Sequence, residues 1–413
     1  MKVLCFNVTE PIRYQENNGF IGGWQDSLES IVSQFENIEL FIAFTSLHLK
    51  QIKTNNHVKY IPIHLSFSLL DWISNKISWK TEAHKIITEA IEIVESVKPD
   101  IIHVFGTEWP FGLISKYTKI PVVIHIQGSI VEYNNYLYPP KYHLFDELYE
   151  AKFHICNFID KLFSPLMNKS RYLMEKEIWS VNKFYMGRTQ WDFDLSNKMH
   201  PGRYYYHVDE ALRKPFINSQ QHWHWDESKK VTLFSTGCST FWKAPNILLK
   251  TAQILKRQNF HFEWFVAGYM PDYLKNVVER KEKTSFSENN IIFLGWQTAE
   301  QIRDRLASST LYIHNAYIEN SPNSICEAQI TGTPVISANV GGIPSLIEDG
   351  ETGLLVPVGE PELMAKKILS SAKDKNLLCR LSKNAQNVAK QRHNEEKILK
   401  QLLNCYRDIL NRR

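Results

Sequence analysis

The sequence predicts an α/β protein made of two Rossmann-like domains, each built on a parallel sheet. Three observations carry this. The 413 residues exceed what a single hydrophobic core usually serves. Short apolar runs rich in β-branched and aromatic residues alternate with helix-period patterns. That alternation is broken once, by a polar and aromatic stretch at 219–230.

Residues 3–8, 40–44, 101–105 and 122–126 read as buried strands, each followed by turn residues or a helical pattern. Continuous apolar runs of this length suit strands covered on both faces, as in parallel βαβ units. A second series lies at 231–235, 262–267, 291–294, 311–314 and 334–337. The boundary is expected between Asn182 and Lys230. Drawn at 205/206, it gives an N-terminal domain 1–205 and a C-terminal domain 206–390. From Pro361 onward, apolar residues such as Leu363, Ile368, Leu402 and Ile409 recur at helical spacing, predicting amphipathic helices. The last of these, 391–413, is expected to pack back on the first domain. No fixed-period repeat is visible, which argues against solenoids and propellers.

Composition narrows the function classes. With 43% hydrophobic and 22% charged residues the chain reads as a globular enzyme, not a disordered or fibrous protein. The net charge of +4 comes from scattered lysines and arginines, which argues against nucleic acid while leaving a mild bias toward anionic ligands. Six cysteines stand far apart without Cys-x-x-Cys spacing, the usage of reduced intracellular thiols. The start has too short an apolar stretch for a signal peptide and no later run reaches membrane-spanning length. The expected location is cytoplasmic, at most peripheral at the inner face of a membrane.

The most informative stretch is Glu319-Asn320-Ser321-Pro322-Asn323-Ser324-Ile325-Cys326-Glu327. It joins the strand ending at His314 to a helical pattern. Ser321 or Asn323 is expected to cap that helix, whose first N–H groups would then face the carboxyl edge of a parallel sheet, where diphosphates bind. Two glutamates at such spacing, taken alone, describe only a solvated helix face. Downstream, Gly332-Thr333-Pro334 and the run from Gly341-Gly342-Ile343-Pro344 to Thr352-Gly353-Leu354 supply context.

These runs together resemble the retaining glycosyltransferases of sequence family four. Their GT-B fold sets two Rossmann-like domains across a cleft, and they carry a Glu-x7-Glu motif at this point. The resemblance implies that Glu319 contacts the donor sugar and Glu327 the nucleotide ribose, with Ser321, Pro322, Asn323 and Ser324 around the diphosphate. Gly237 and Lys243 follow the first strand of the second domain, where the family usually has Gly-Arg and then Lys-Gly. Lys243 would act on the donor phosphates, Cys238 stands in place of the arginine, and Ser345 replaces a common acid. Gly22-Gly23 resembles the family's first-domain glycine loop, though a plain turn reads equally well. It is not Gly-x-Gly-x-x-Gly, which argues against a nicotinamide cofactor.

In the first domain, His125 and Gln127 stand where the family commonly has a histidine near the reacting sugar; a buried core histidine is the alternative. The runs 186–192 and 204–213, the second opening on Tyr204-Tyr205-Tyr206, suit recognition of a hydroxyl-rich ligand, with Arg188, Trp191 and Asp192 as candidates; interdomain packing is the other reading. Asp192-Phe193-Asp194 is set aside as a chance Asp-x-Asp, and His222-Trp223-His224 lacks partners for zinc.

The implied activity is retaining transfer of a hexose-type sugar, with Glu319, Lys243 and His125 as catalytic candidates and no metal or cofactor. A UDP- or GDP-linked donor would be the substrate. The acceptor, a glycan or lipid-linked saccharide, would bind to the N-terminal domain 1–205 and the donor to the C-terminal domain 206–390. The stretch 69–80 reads either as a membrane-surface segment or as a helix over the acceptor groove. The competing readings are a sugar-nucleotide epimerase of the same fold and a catalytically silent carbohydrate-binding protein.

Overall fold

The computed structural model describes residues 1–14, 23–55, 57–152, 154–227 and 230–412. The chain divides into two compact units, one of residues 1–134, 159–211 and 393–413, the other of residues 135–158 and 212–392.

Among the described residues the first unit carries strands β1 (Lys2–Asn7), β2 (Glu39–Ser46), β3 (Lys53–Asn55), β4 (Val58–His64), β5 (Ile101–Phe105), β6 (Val122–His125), β7 (Phe184–Gly187) and β8 (Tyr204–His207). They lie in the order β3-β4-β2-β1-β5-β6-β7-β8. Every neighbouring pair is parallel except the edge pair β3 and β4. The continuous apolar strands are buried on both faces as their composition requires: β5 is buried throughout, and in β1 Val3 and Cys5 enter one core cluster while Leu4 and Phe6 enter the other. Helix Glu395–Asn411 covers the first cluster with Ile398, Leu402, Tyr406 and Ile409, and helix Lys80–Val97 covers the second with Ile86, Ala90 and Val94.

The tyrosine run proves to be strand β8, which crosses the 205/206 position and pairs Phe184 with Tyr204 and Gly187 with His207. Tyr206 donates to Asp408 at 2.6 Å, so this run serves the unit's own packing.

The second unit holds β9 (Val231–Thr236), β10 (Phe262–Ala267), β11 (Ile291–Gly295), β12 (Leu311–His314), β13 (Val335–Asn339) and β14 (Leu354–Pro357). Among the described residues they form a parallel sheet ordered β11-β10-β9-β12-β13-β14. Residues 135–158 group with this unit because aromatics and ion pairs hold them there. Tyr142 meets Phe241 edge-on at 5.4 Å and donates to Glu282 at 2.6 Å, while Arg280 donates to Glu150 at 2.8 Å.

Each sheet reverses its strand order once, between β1 and β5 and between β9 and β12. Loops leaving neighbouring strands in opposite directions open a crevice at the carboxyl edge, the usual ligand position in such sheets. Among the described residues no helix is long and apolar enough to cross a membrane.

Candidate active site

The reversal between β9 and β12 brings together the two loops singled out in the sequence. After β9 the chain turns at Gly237, whose φ of +77° suits glycine. A Cβ there would meet nothing within 4 Å, so the backbone borders open space. The short helix Phe241–Lys243 then presents Lys243, whose ammonium pairs with Glu319 in a short contact. Tyr317 donates its backbone N–H to Trp242 at 2.7 Å, tying the two loops together beside this pair.

His314, at the end of β12, places Nε2 3.6 Å from the same carboxylate oxygen, beyond hydrogen-bond reach. Burial lowers the pKa of His314, Glu319 opposes this and the Lys243 charge adds to the lowering, so the ring is neutral near neutrality. Burial pushes the Glu319 carboxyl up, but Lys243 and then His314 more than offset it and hold it down at about 2. Lys243 is therefore the cation that keeps Glu319 ionised.

A group whose folded pKa lies below its ordinary 4.5 contributes stability that is full above that value and lost as pH falls through the folded one. Acidification from pH 4.5 toward 2 is thus expected to lower the unfolding midpoint, and Glu319→Gln to flatten that part of the profile. Thermal melts at stepped pH check this; an equally steep profile in the variant contradicts it.

The glutamate's backbone is fixed from behind. Gly342 donates to the Glu319 carbonyl at 3.1 Å, and Gly341, at φ +58°, lies so close that a Cβ would fall 1.8 Å from that oxygen.

Helix Asn323–Thr331 begins at this crevice with Pro322 as its N-cap and no side-chain capping bond. The expectation that Ser321 or Asn323 caps it is corrected: proline ends the preceding turn and both side chains stay uncommitted. Ser321 Oγ, Asn323 Oδ1 and both polar atoms of Asn315 are buried without a hydrogen-bond partner. Buried polar atoms normally find partners, so a helix start with free N–H groups and several unsatisfied side chains is suited to an anionic, hydroxyl-bearing ligand. Ser324 lies on the first turn of the same helix.

Glu327, one turn further, is buried and accepts from Arg213 Nε at 2.7 Å. Burial raises its pKa and Arg213 only partly opposes this. Arg213, whose guanidinium also stacks over Phe216 at 5.0 Å, ends the 204–213 run that the sequence offered for ligand recognition; its link to Glu327 was not legible because nothing local joins it to the motif. Cys238 is buried with its thiol pushed up to about 12 by burial, against a smaller opposite pull from Lys243, so it is no nucleophile.

The first-unit candidates are engaged differently. Gly22 lies outside the described residues. Gly23 is the exposed N-cap of helix Trp24–Val32, without a capping side chain. His125, 0% exposed at the end of β6, sits 3.3 Å from His103, which reaches Tyr406 at 2.7 Å. Burial, then the charges of His103 and Arg188, keeps it neutral. Gln127 is half-buried beyond the strand end.

Asp192 is also a structural residue. Its carboxylate accepts from the backbone N–H groups of Arg188 at 2.8 Å and Thr189 at 3.1 Å, while Thr189 Oγ1 accepts from the Asp192 backbone at 3.2 Å. That is the capping box of helix Gln190–Met199. Trp191 packs on the unit's core, and Arg188 is buried with its guanidinium 3.5 Å from the Ile126 carbonyl.

Residues 217–388 match the family described as Glycosyl transferases group 1. The chain is 32% identical over 123 residues to N-acetyl-alpha-D-glucosaminyl L-malate synthase of Bacillus anthracis, covering 30% of this chain and 32% of that one. It spans less than half the length of the curated relatives it matches. Among solved structures it resembles sucrose-phosphate synthase from Thermosynechococcus elongatus, with a TM-score of 0.75 and 14% identity over 100% of both chains. It also resembles Anabaena Alr3699/HepE in complex with UDP-glucose, with a TM-score of 0.64 and 16% identity over 98% of both. The fold is thus GT-B, and the segment that carries the Lys243–Glu319 pair is similar to the group 1 glycosyl transferases.

Proposed function

We propose that this protein is a retaining glycosyltransferase that moves a hexose-type sugar from a UDP- or GDP-linked donor to a hydroxyl of a glycan or lipid-linked acceptor. The observation that carries the proposal is the half-buried Lys243–Glu319 ion pair beside an uncapped helix start with unsatisfied polar side chains. The match of residues 217–388 to the group 1 family supports it, as does the likeness in fold to a protein crystallised with UDP-glucose. These also favour transfer over epimerisation or silent binding.

In this reading the bond between the anomeric carbon and the diphosphate oxygen breaks as the acceptor oxygen bonds to the same carbon and face. The acceptor proton passes to the departing phosphate. Lys243 and the start of helix Asn323–Thr331 stabilise the negative charge that develops on the leaving group, so charge neutralisation needs no metal. Glu319 accepts hydrogen bonds from the donor sugar and holds Lys243 in place. Glu327, kept rigid by Arg213, meets the ribose. The setting is cytoplasmic.

Thermal melts in UDP and GDP test donor binding, since a ligand selective for the folded state raises the midpoint. One nucleotide should raise it, and Lys243→Ala should weaken that nucleotide by about tenfold, the worth of one charge-assisted contact. No shift with either nucleotide would remove the donor. Incubation with radiolabelled sugar nucleotides and glycan or lipid extracts then separates transfer, isomerisation and binding alone.

A further inference from the structure

The first unit has a feature that the donor site does not use. The loops leaving the carboxyl ends of β4 and β5, together with helices Leu69–Ile77, Lys80–Val97 and Ile155–Val181, enclose a groove of about 330 Å³. Its lining includes Trp72, Trp79, Trp109, Asn75, Glu82 and Arg171. Trp109 meets Trp79 edge-on at 5.0 Å, and the Arg171 guanidinium lies 4.6 Å over the Trp79 ring. Arg171 Nε is buried and donates to nothing. Trp72 is 45% exposed, with one face taken by the Lys76 ammonium at 4.9 Å.

We propose that this groove binds a saccharide, the part of the acceptor that does not react. The inference rests on the glycosyltransferase reading and adds to it a location and a chemistry for the acceptor. Indole faces suit the C–H faces of sugar rings, while a buried N–H without a partner calls for an oxygen acceptor such as a hydroxyl. The groove lies at the carboxyl edge of the sheet, the ligand side of this class of fold.

The charges favour an uncharged sugar over an anionic lipid surface. Arg171 is faced by Glu108, Glu82 and Glu175, Lys76 is held by Asp160 in a short contact, and Lys85 is held by Asp71 at 2.9 Å. Cations already neutralised by the protein add little attraction for anionic headgroups.

The test uses the whole chain without nucleotide, so its result is independent of donor binding. Wild-type protein on an array of immobilised oligosaccharides should give binding above background. Trp72→Leu keeps apolar bulk but removes the ring face, and should lose about tenfold in affinity, the size expected for one stacked ring. Trp72→Phe should stay within about threefold. Melting midpoints equal to wild type show that both variants fold. In a parallel arm, vesicles of phosphatidylglycerol and phosphatidylcholine are sedimented with the protein. Absence of array binding by wild type, equal binding by Trp72→Leu, or vesicle binding that replaces array binding would each overturn the proposal. Array binding with failed nucleotide-induced stabilisation would leave the saccharide groove standing and refute the donor site.

Discussion

Glu319→Ala is expected to cut turnover by about 10²–10³-fold, the usual loss when one preorganised polar group leaves a transition-state site, with the fold intact. Two effects combine. The sugar loses its hydrogen-bond acceptor, and Lys243 loses the carboxylate that fixes its ammonium. Because Glu319 is held ionised at about 2 by burial outweighed by Lys243 and His314, wild-type turnover should show no carboxylate step from this residue between pH 5 and 8. Radiolabelled product formed per unit time, with circular dichroism as the folding control, reads the outcome. Near-normal turnover in a folded variant would refute the assignment.

Gly341→Ala should damage the same site from behind and cost more stability than activity-site changes usually do. A Cβ there would sit 1.8 Å from the Glu319 carbonyl oxygen, at a φ of +58° that side chains with a Cβ adopt at a cost. Overpacking and left-handed strain together amount to about 3 kcal/mol, or roughly 10 °C in melting midpoint for a unit of this size. Gly237→Ala gives the contrast. Its φ is also positive but its Cβ would meet nothing within 4 Å, so only the left-handed cost of about 1 kcal/mol applies. Melts of the two variants side by side distinguish them, and equal midpoints would mean that the Gly341 loop yields freely.

Much of the fold was legible because buried parallel strands write themselves as unbroken apolar runs. The expected strand at 262–267 and that at 311–314 coincide with β10 and β12. Edge elements were less legible: β3, Lys-Thr-Asn, has no apolar signature, and β4 carries a proline inside it. The candidate site was legible because Glu319, Ser321 and Asn323 are neighbours in sequence, but the Arg213 contact to Glu327 was not, since it links residues far apart.

Asp192 shows the opposite failure. Thr189-x-x-Asp192 is itself a capping signature, yet its density of polar and aromatic neighbours invited a ligand reading, while the structure commits the carboxylate to backbone N–H groups. His125 was ambiguous for a related reason: which neighbour a polar side chain on a strand meets follows from strand pairing, and only the pairing of β5 with β6 sets its Nδ1 beside His103.

Helix Glu395–Asn411 supplies Ile398, Leu402, Tyr406 and Ile409 to the same cluster as Val3 and Cys5. During translation a growing chain tends to fold its leading domain first, but here that domain lacks one wall until the whole of the second unit has been made. The unit made first is therefore finished last, and the intervening unit can consolidate on the ribosome while β1 still waits for its cover.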